Sequence, residues 1–452
     1  MHLLPQLREL ETRYRYDLVV IGVHTAKFPA ERDDRHLAAA VERLEIEHPV
    51  VNDVEFSIWH AYAVRAWPTL MFIDPTGQVI ARHEGELGGT DLTELLDALL
   101  IEFRDAGKLR SGPLPGLSLF DVKKPTGELA FPGGIVVDGS TNRLYIANTN
   151  NHLILDTTLD SVVRRSVGSG RAGFSDGHFQ TAEFCFPQGI ALYGDSLYVA
   201  DTGNHAIRHI DLPSGQVTTI VGTGHLSPIY ASGGERLSTV LRSPWNIAIV
   251  DDTLWISMAG SHQLWMHRIG TDEIRRAVGS GHEGLRDGVT AAAWLAQPSG
   301  ITAFNEGHSL LFTDSETSAV RIADLPGRGD GTVRTLIGDG LFEFGDIDGP
   351  ASIARLQHPL GVAVHDSSST IYVADTYNNK IKRLNPYTNS VTAWLGDGSP
   401  GYQDGVGVGA QLFEPSGLGI SGNMLYIADT NNHAIRCANL ATGEVTTIDI
   451  RR

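Results

Sequence analysis

The amino-acid sequence predicts two domains, an N-terminal α/β domain followed by an all-β, six-bladed β-propeller. Two patterns support this prediction. Residues 1–107 alternate β-branched runs with segments whose apolar residues recur at helical spacing, which is typical of an α/β domain. From about residue 129 the helical periodicity stops, and a unit of four short apolar runs repeats six times. The length of 452 residues also exceeds that of a typical single core.

The predicted α/β domain reads in order as helix, strand, helix, strand, short helix, hairpin and helix. These segments are HLLPQLRELETRY, DLVVIGVH, ERDDRHLAAAVERLEI, HPVVND, EFSIWHAYAV, TLMFIDPTGQVIARHEG and GTDLTELLDALLIEFRDAG. DLVVIGVH is a continuous β-branched run, as expected for a strand buried on both faces. The alternation predicts a mixed sheet. The Gly/Pro-rich residues 108–128 are predicted to form a linker.

Residues 129–452 are predicted to form the propeller. Each copy of the repeat opens on a proline, at Pro132, Pro187, Pro244, Pro298, Pro359 and Pro415. A second run and a polar turn follow, as in SLYVADTGNH, and two further short runs complete the unit. One such unit cannot bury both faces of its sheet alone, so the ring is expected to supply the stability. The loop that leaves the second copy, GTGHLSPIYASGGERLSTVL, departs from the others, and we expect it to have a different shape.

Composition excludes several classes of function. The formal charge is −18, from 35 basic and 53 acidic residues without a Lys/Arg cluster, which argues against nucleic-acid binding. No apolar run approaches about 20 residues, so no membrane span is expected, and the first residues lack the pattern of a signal peptide. The two cysteines, Cys185 and Cys437, do not make a disulfide framework and are interpreted as small buried residues. A cytoplasmic location is therefore expected.

Two polar positions recur in the turn of each repeat. The first holds His152, His205, His262 and His433, with Ser318 and Asn379 in the other two copies. Copies in different blades are expected to lie too far apart for a shared zinc ion, so these side chains are expected to bond their own turn. The second holds Asp201, Asp314, Asp375 and Asp429, expected to accept N–H bonds in the turn. The acidic residues of FGDIDG (344–349) are too sparse for calcium.

No motif in the chain predicts catalysis, a metal or a cofactor. GSGRAG and GSGHEG neither open a helix nor lie in a βαβ unit, so they are not dinucleotide-binding loops.

The third copy holds Trp245, Trp255 and Trp265, with Met258 in place of the repeat aspartate. Aromatic residues at a propeller face can anchor a protein partner, which makes these tryptophans candidate partner-binding residues. The alternative is that they fill the core between blades.

The segment YAVRAWPTLMFIDPTGQVIARHEG (62–85) raises a separate question. Pro68 stands where a cis peptide would be used, and prolines of this kind usually face a reactive cysteine pair, yet neither cysteine is near in sequence. The segment resembles the cis-proline segment of thioredoxin-like proteins. The six P-x-G units with LY[IV]ADT-x-N-H resemble NHL repeats. Together with GVHTAKFP, HPVVND, SMAGSHQLW and LQHPLGV, they make the chain similar to the NHL repeat-containing protein 2 family.

The resemblance implies a thioredoxin-like fold for residues 1–107 and a six-bladed NHL propeller for residues 129–452. In the family a C-x-x-C segment precedes the helix that begins HLLP, and counting back from Pro5 places its second cysteine immediately before Met1. We therefore expect the first strand and the C-x-x-C motif to be missing from this sequence. Either a start codon inside the gene removed them, or the domain has lost its cysteines and serves for docking. The loss of a central strand favours the first explanation.

Three hypotheses for function follow. The first is a protein-interaction scaffold that binds a protein or peptide partner through the propeller faces, without nucleic acid, membrane or cofactor. The second is a thiol–disulfide oxidoreductase whose C-x-x-C lies upstream of Met1, in which Trp67, Pro68 and Thr69 would line the cleft. The third is a propeller enzyme with a metal in its central channel, which the lack of a converging histidine set disfavours.

Overall fold

The computed structural model describes residues 3–87, 92–112, 125–228, 230–365 and 367–451. The chain divides into two units, Met1–Lys124 and Pro125–Arg452. Most of the predicted linker, residues 113–124, lies outside the described residues. No helix in the described ranges is long and apolar enough to cross a membrane.

The described residues of the N-terminal unit form four α-helices and four β-strands. The helices are α1 (Leu3–Arg13), α2 (Asp34–Arg43), α3 (Ser57–Ala61) and α4 (Thr93–Asp105), and a 3-10 turn spans Pro29–Arg32. The strands are β1 (Gly22–His24), β2 (Val50–Asn52), β3 (Thr69–Ile73) and β4 (Val79–Glu84). Leu10 of α1 and Tyr14, which follows the helix, pack against Leu96 of α4, with Leu70 and Phe72 of β3 at the edge of this small core.

The strands of the N-terminal unit form two separate pairs. β1 and β2 are parallel, with Val23 opposite Val51, and β3 and β4 form an antiparallel hairpin with Met71 opposite Arg82. The sequence predicted one mixed sheet, whereas no described strand joins the two pairs. The remaining described residues of this unit form helices, turns and irregular segments, so none of them supplies the connecting strand.

The C-terminal unit is a six-bladed β-propeller of antiparallel four-stranded sheets. The first strands are Pro132–Asp138, Pro187–Tyr193, Pro244–Val250, Pro298–Phe304, Gly361–His365 and Pro415–Ser421. The second strands are Arg143–Asn148, Ser196–Asp201, Thr253–Met258, Ser309–Asp314, Thr370–Asp375 and Met424–Asp429. The third strands are Leu153–Thr158, Ala206–Asp211, Gln263–Arg268, Ala319–Asp324, Lys380–Asn385 and Ala434–Asn439. The fourth strands are Val163–Val167, Gln216–Val221, Glu273–Val278, Thr332–Ile337, Ser390–Leu395 and Glu444–Ile448.

Five blades carry a short additional outer strand that pairs with the fourth strand and comes from the loop before the blade. These strands are Gly177–His178, Gly233–Glu235, Gly288–Val289, Gly349–Pro350 and Gly405–Val406. Blade 1 instead receives the end of the chain, because Val163 N–H donates to the carbonyl of Arg451 at 2.7 Å. The last residues therefore help to join blade 6 to blade 1.

The apolar cores lie between blades. Each of the six propeller clusters combines residues of two neighbouring blades, including one shared by blades 6 and 1. The first strands approach so closely that side chains are excluded at some positions. A β-carbon on Gly417 would lie 2.2 Å from the carbonyl oxygen of Gly133, and one on Gly361 would lie 1.8 Å from that of Ser416. Glycine in the P-x-G motif therefore permits the inner ring to close.

Candidate functional site

The repeat histidines connect neighbouring blades. His152 follows the 3-10 turn Thr149–Asn151, and its Nδ1 accepts the N–H of Phe186 in the next blade at 3.3 Å. The same bond joins His205 to Ser243, His262 to Gln297, Ser318 to His358, Asn379 to Glu414 and His433 to Phe131. The expectation that these side chains bond their own turn was wrong. The N–H that precedes each first strand lies outside the strand ladder, and a buried N–H requires an acceptor.

Hydroxyl groups of the same turns make a second bond between blades. Thr149 Oγ1 donates to the carbonyl of Pro187 at 2.8 Å. Equivalent bonds join Thr202 to Pro244, Ser315 to Pro359, Thr376 to Pro415 and Thr430 to Pro132. Blade 3 has Ala259 at this position, and Ser257 donates to the carbonyl of Ser299 instead, at 2.5 Å. The polar turn residues are therefore occupied in holding the ring together.

The repeat aspartates form buried ion pairs. In blade 2, Asp201 accepts Arg208 Nη1 at 2.8 Å, and Arg208 Nη2 reaches Asp176 of the preceding loop at 2.8 Å. Asp201 also accepts the N–H of Cys185 and the side-chain amide of Asn204. The equivalent groups are Asp314–Arg321–Asp287, Asp375–Lys382–Asp348 and Asp429–Arg436–Asp404, and Lys382 also pairs with Asp346. The predicted backbone bonds thus come from the segment entering the blade rather than from the turn.

Burial raises the pKa values of these aspartates. It raises the pKa of Asp201 to about 6, against the opposing effects of Arg208, Asn204 and the Cys185 N–H. Burial likewise raises the pKa of Asp375 and of Asp429 to about 6. These carboxyls are enclosed with their partners and do not face a cleft, so a structural role accounts for them.

Blade 3 lacks this ion pair and its loop lacks the matching aspartate. Met258 and Trp265 stand where blade 2 has Asp201 and Arg208, and residues 223–243 contain no aspartate. Trp265 Nε1 donates instead to Gln263 Oε1 at 2.8 Å. The two departures noted in the sequence are therefore one change, because the basic residue of the third strand and the loop aspartate are partners in blades 2, 4, 5 and 6.

The three candidate tryptophans of blade 3 do not form a surface. Trp255 is 3% exposed in the core between blades 3 and 4, and Trp265 is 2% exposed in the core between blades 2 and 3. Trp245 is half-buried on the first strand. The partner-binding interpretation is corrected for Trp255 and Trp265, since side chains so deeply buried cannot contact a partner. Both side chains point into the cores between neighbouring blades. The alternation of residues along a strand does not show which side of the strand faces a neighbouring blade.

In the N-terminal unit, Trp67, Pro68 and Thr69 lie at the start of β3. The Trp67–Pro68 peptide bond is cis. Trp67 is 46% exposed, and its Nε1 donates to the carbonyl of Thr25 at 3.0 Å. Thr69 Oγ1 donates to the carbonyl of Ala66 at 2.7 Å. These bonds fix an exposed indole beside the proline.

Sequence reasoning missed the side chains around Trp67. The Trp59 ring lies 4.6 Å from the Trp67 ring, and Phe56 packs edge-on against Trp59 at 6.0 Å. The buried Asp53 accepts the N–H groups of Ile58 and Trp59 at 3.0 and 2.8 Å. Burial opposes ionisation of Asp53, but these hydrogen bonds hold its pKa below the usual value. The sequence signal that could have indicated this arrangement is Asp53 shortly before the short helix α3, since aspartate often accepts N–H bonds at the start of a helix.

Neither cysteine lies in the N-terminal unit. Burial raises the pKa of Cys437 to about 11, which disfavours the thiolate. Among the described residues, no group of three or more His, Cys, Asp or Glu side chains is arranged to hold a metal ion. Asp346 and Asp348, the acidic residues of FGDIDG, pair with Lys382.

Comparison with known proteins places the chain in a family. The NHL repeat model matches residues 129–155 and 184–210. NHL repeat-containing protein 2 of Bos taurus is 37% identical over 484 residues, which cover 100% of this chain and 66% of the bovine protein. Protein SUPPRESSOR OF QUENCHING 1, chloroplastic, of Arabidopsis thaliana is 39% identical over 460 residues, covering 98% of this chain and 43% of that protein.

Among solved structures, an auxiliary nutrient binding protein from Bacteroides thetaiotaomicron has a TM-score of 0.51 at 14% identity, covering 71% of this chain and 69% of that one. This likeness concerns the fold alone. The chain spans 66% of the length of the bovine relative and less than half of the Arabidopsis one. The match to the bovine protein over the whole of this chain and the repeated propeller unit lead to one conclusion: the chain belongs to the NHL repeat-containing protein 2 family.

Proposed function

We propose that this chain is a protein-interaction scaffold, in which the propeller binds a protein or peptide partner and the N-terminal unit adds a second contact surface. On this proposal residues 1–107 adopt a thioredoxin-like fold, with Trp67, Pro68 and Thr69 in its cleft. The chain's polar repeat residues support a scaffold, because the turn side chains and buried ion pairs serve the ring itself. The contact surface must then come from other residues.

One end of the propeller offers such residues. The third strand of each blade starts at the turn that carries the repeat histidine, and the fourth strand runs back antiparallel to it. The loop to the next blade therefore starts at the same end as that turn, and we call this end the loop face. Each of the five loops between blades carries an exposed aromatic side chain: Phe174, Tyr230, Trp294, Phe342 and Tyr402. This observation carries the proposal, because exposed aromatic residues are typical anchors of protein interfaces.

The test is quantitative affinity purification from the native cell type with the full chain and single variants. The variants are Phe174→Ala, Tyr230→Ala, Trp294→Ala, Phe342→Ala, Tyr402→Ala and Trp67→Ala. We expect at least one loop-face variant to lose a partner by about tenfold or more, while Trp67→Ala keeps that partner. Tyr387→Ala is the control, since Tyr387 lies in the turn at the opposite end of blade 5. Retention of every partner by all five loop variants would contradict the proposal.

A second candidate function is thiol–disulfide exchange, with cysteines supplied from upstream of Met1 and the propeller recruiting substrate. The observation that favours it is the exposed Trp67 indole, fixed by Thr25 beside Pro68 and Thr69. N-terminal sequencing of the native protein, followed by an insulin-reduction assay, separates the two functions. An upstream C-x-x-C together with activity that Trp67→Ala reduces would support the oxidoreductase. Native protein that begins at Met1 and does not react with disulfides would exclude it.

A further inference from the structure

We propose that the loops between blades 4 and 5 (residues 339–348) and between blades 5 and 6 (residues 397–404) form a docking surface for an arginine-rich segment of a partner protein. We call these two loops the acidic loops. The inference rests on the proposed scaffold function and adds the chemistry of the partner. It follows from three features of these loops, namely their charge, their proximity and their exposed aromatic rings.

The acidic loops carry an excess of negative charge. They contain six carboxylates and no Lys, Arg or His, the six being Asp339, Glu343, Asp346, Asp348, Asp397 and Asp404. The cations that contact them are Arg355, Lys380, Lys382 and Arg436. Lys382 and Arg436 also pair with the buried Asp375 and Asp429. Eight carboxylates thus face four cations, which leaves a formal excess of four negative charges. The loops before blades 2 and 4 each include an arginine, Arg171 and Arg286.

The two acidic loops meet at the start of the third strand of blade 5. Lys380 Nζ pairs with Asp346 of the first loop. Its Cε lies 3.1 Å from the position of a β-carbon on Gly398 of the second loop. Asn379 Nδ2 also donates to the carbonyl of Gly398 at 3.2 Å. The carboxylates and aromatic rings of both loops therefore belong to one surface.

Two aromatic rings stand on this surface among the carboxylates. Phe342 is 66% exposed and Tyr402 is 59% exposed. The Tyr402 ring already receives one cation, because the Arg436 guanidinium carbon lies 5.2 Å from its centroid on the buried side. Its exposed side is open to a cation from solvent. A guanidinium stacks on an aromatic face and pairs with a carboxylate at the same time, which favours arginine over lysine.

A metal ion is the other ligand that acidic residues suggest. No group of three or more ligating side chains that could hold a metal ion is found in the described parts of the chain. Asp346 pairs with Lys380 and Lys382, and Asp348 with Lys382 and the N–H of Ala393. The negative charge is spread over two loops rather than converging on a point. An extended cationic segment matches this distribution better than a single ion.

The experiment is fluorescence anisotropy of the full chain with a labelled eight-residue peptide of alternating arginine and serine. The matched probes alternate lysine and serine, or glutamate and serine. We expect saturable binding of the arginine peptide, weaker binding of the lysine peptide and none of the glutamate peptide. Raising the salt concentration from about 0.05 to 0.3 M should weaken binding of the arginine peptide, because salt screens exposed charges.

Variants then locate the site. Tyr402→Leu and Phe342→Leu keep the net charge, and Leu285 naturally occupies the position equivalent to Tyr402 in the loop before blade 4. Each should weaken binding by about two- to fivefold through the lost cation–π contact. Asp339→Asn/Glu343→Gln should weaken it by about fivefold. The matched controls at the opposite end of the blades are Tyr387→Leu and Asp330→Asn/Glu444→Gln, which should change the affinity by less than about twofold.

Binding of the glutamate peptide, no saturable binding of the arginine peptide, or an equal loss in the controls would overturn the inference. Thermal melts of each variant separate loss of binding from loss of folding. The outcome is also distinct from that of the scaffold proposal. If purification shows a partner lost with Tyr230→Ala or Trp294→Ala while the arginine peptide does not bind, the scaffold stands and the acidic loops are not its docking surface.

Discussion

His433 joins the last blade to the first through a single side-chain hydrogen bond. Its Nδ1 accepts the N–H of the buried Phe131 at 3.1 Å. His433→Ala should lower the free energy of unfolding by about 1–3 kcal/mol, because it leaves that N–H without its acceptor. His433→Asn should cost less, since Asn379 makes the equivalent bond to Glu414 in blade 5. Urea unfolding followed by fluorescence measures both, and equal losses in the two variants would contradict this assignment.

The same bond makes stability depend on pH. Burial lowers the pKa of His433, and Nδ1 can accept only in the neutral ring. The unfolded chain therefore binds a proton more readily, so the contribution of His433 is present above its unfolded pKa of about 6.5. It is lost as the pH falls from there through the lower folded-state pKa. The stability difference between wild type and His433→Asn should shrink or reverse below about pH 6. A difference that is constant with pH would show that His433 does not titrate in this way.

At the scale of one blade, the buried ion pair of blade 2 can be replaced by the apolar residues that blade 3 has at the same positions. Arg208→Met leaves Asp201 buried without its cation, which should cost about 3–5 kcal/mol. The double variant Asp201→Met/Arg208→Trp copies Met258 and Trp265 of blade 3 and should cost less than the single change. A double-mutant cycle that adds the single variants Asp201→Met and Arg208→Trp, followed by urea unfolding, measures the coupling between the two positions. Additive losses in the free energy of unfolding would show that Met258 and Trp265 are tolerated in blade 3 because of its different loop, and not because the two side chains suit each other.

Strand order and blade number could be predicted because each blade repeats the same local signals, a proline, an apolar run and a polar turn. The residues with which the polar side chains of these repeats form hydrogen bonds could not be predicted. His152 bonds Phe186, 34 residues later and in another blade, and Asp176 bonds Arg208, 32 residues later. Such pairings depend on how blades pack, which the pattern within one repeat does not encode. Trp255 and Trp265 were misplaced for the same reason, since alternation along a strand does not show which side faces the next blade.

The whole propeller is a ring without terminal blades. Each core cluster is shared by two neighbours, and blade 6 meets blade 1 through the approach of Gly417 to Gly133 and through the bond from Thr430 to Pro132. An open array of repeats frays from its ends, whereas a closed ring has none. We therefore expect the propeller to unfold in one transition, and a change at any closed boundary to shift that transition as a whole.

Gly417→Ala tests this at the boundary between blades 6 and 1, and Gly189→Ala tests it between blades 2 and 3, where a β-carbon would lie 2.4 Å from Asn246 Cα. Each should destabilise the propeller by about 1–3 kcal/mol through overpacking. Gly409→Ala is the control, since no atom lies within 4 Å of its added β-carbon. Circular dichroism and tryptophan fluorescence should report coincident urea transitions in both variants. An early transition confined to Gly417→Ala would mean that blades 1 and 6 separate first and that the ring behaves as an open array.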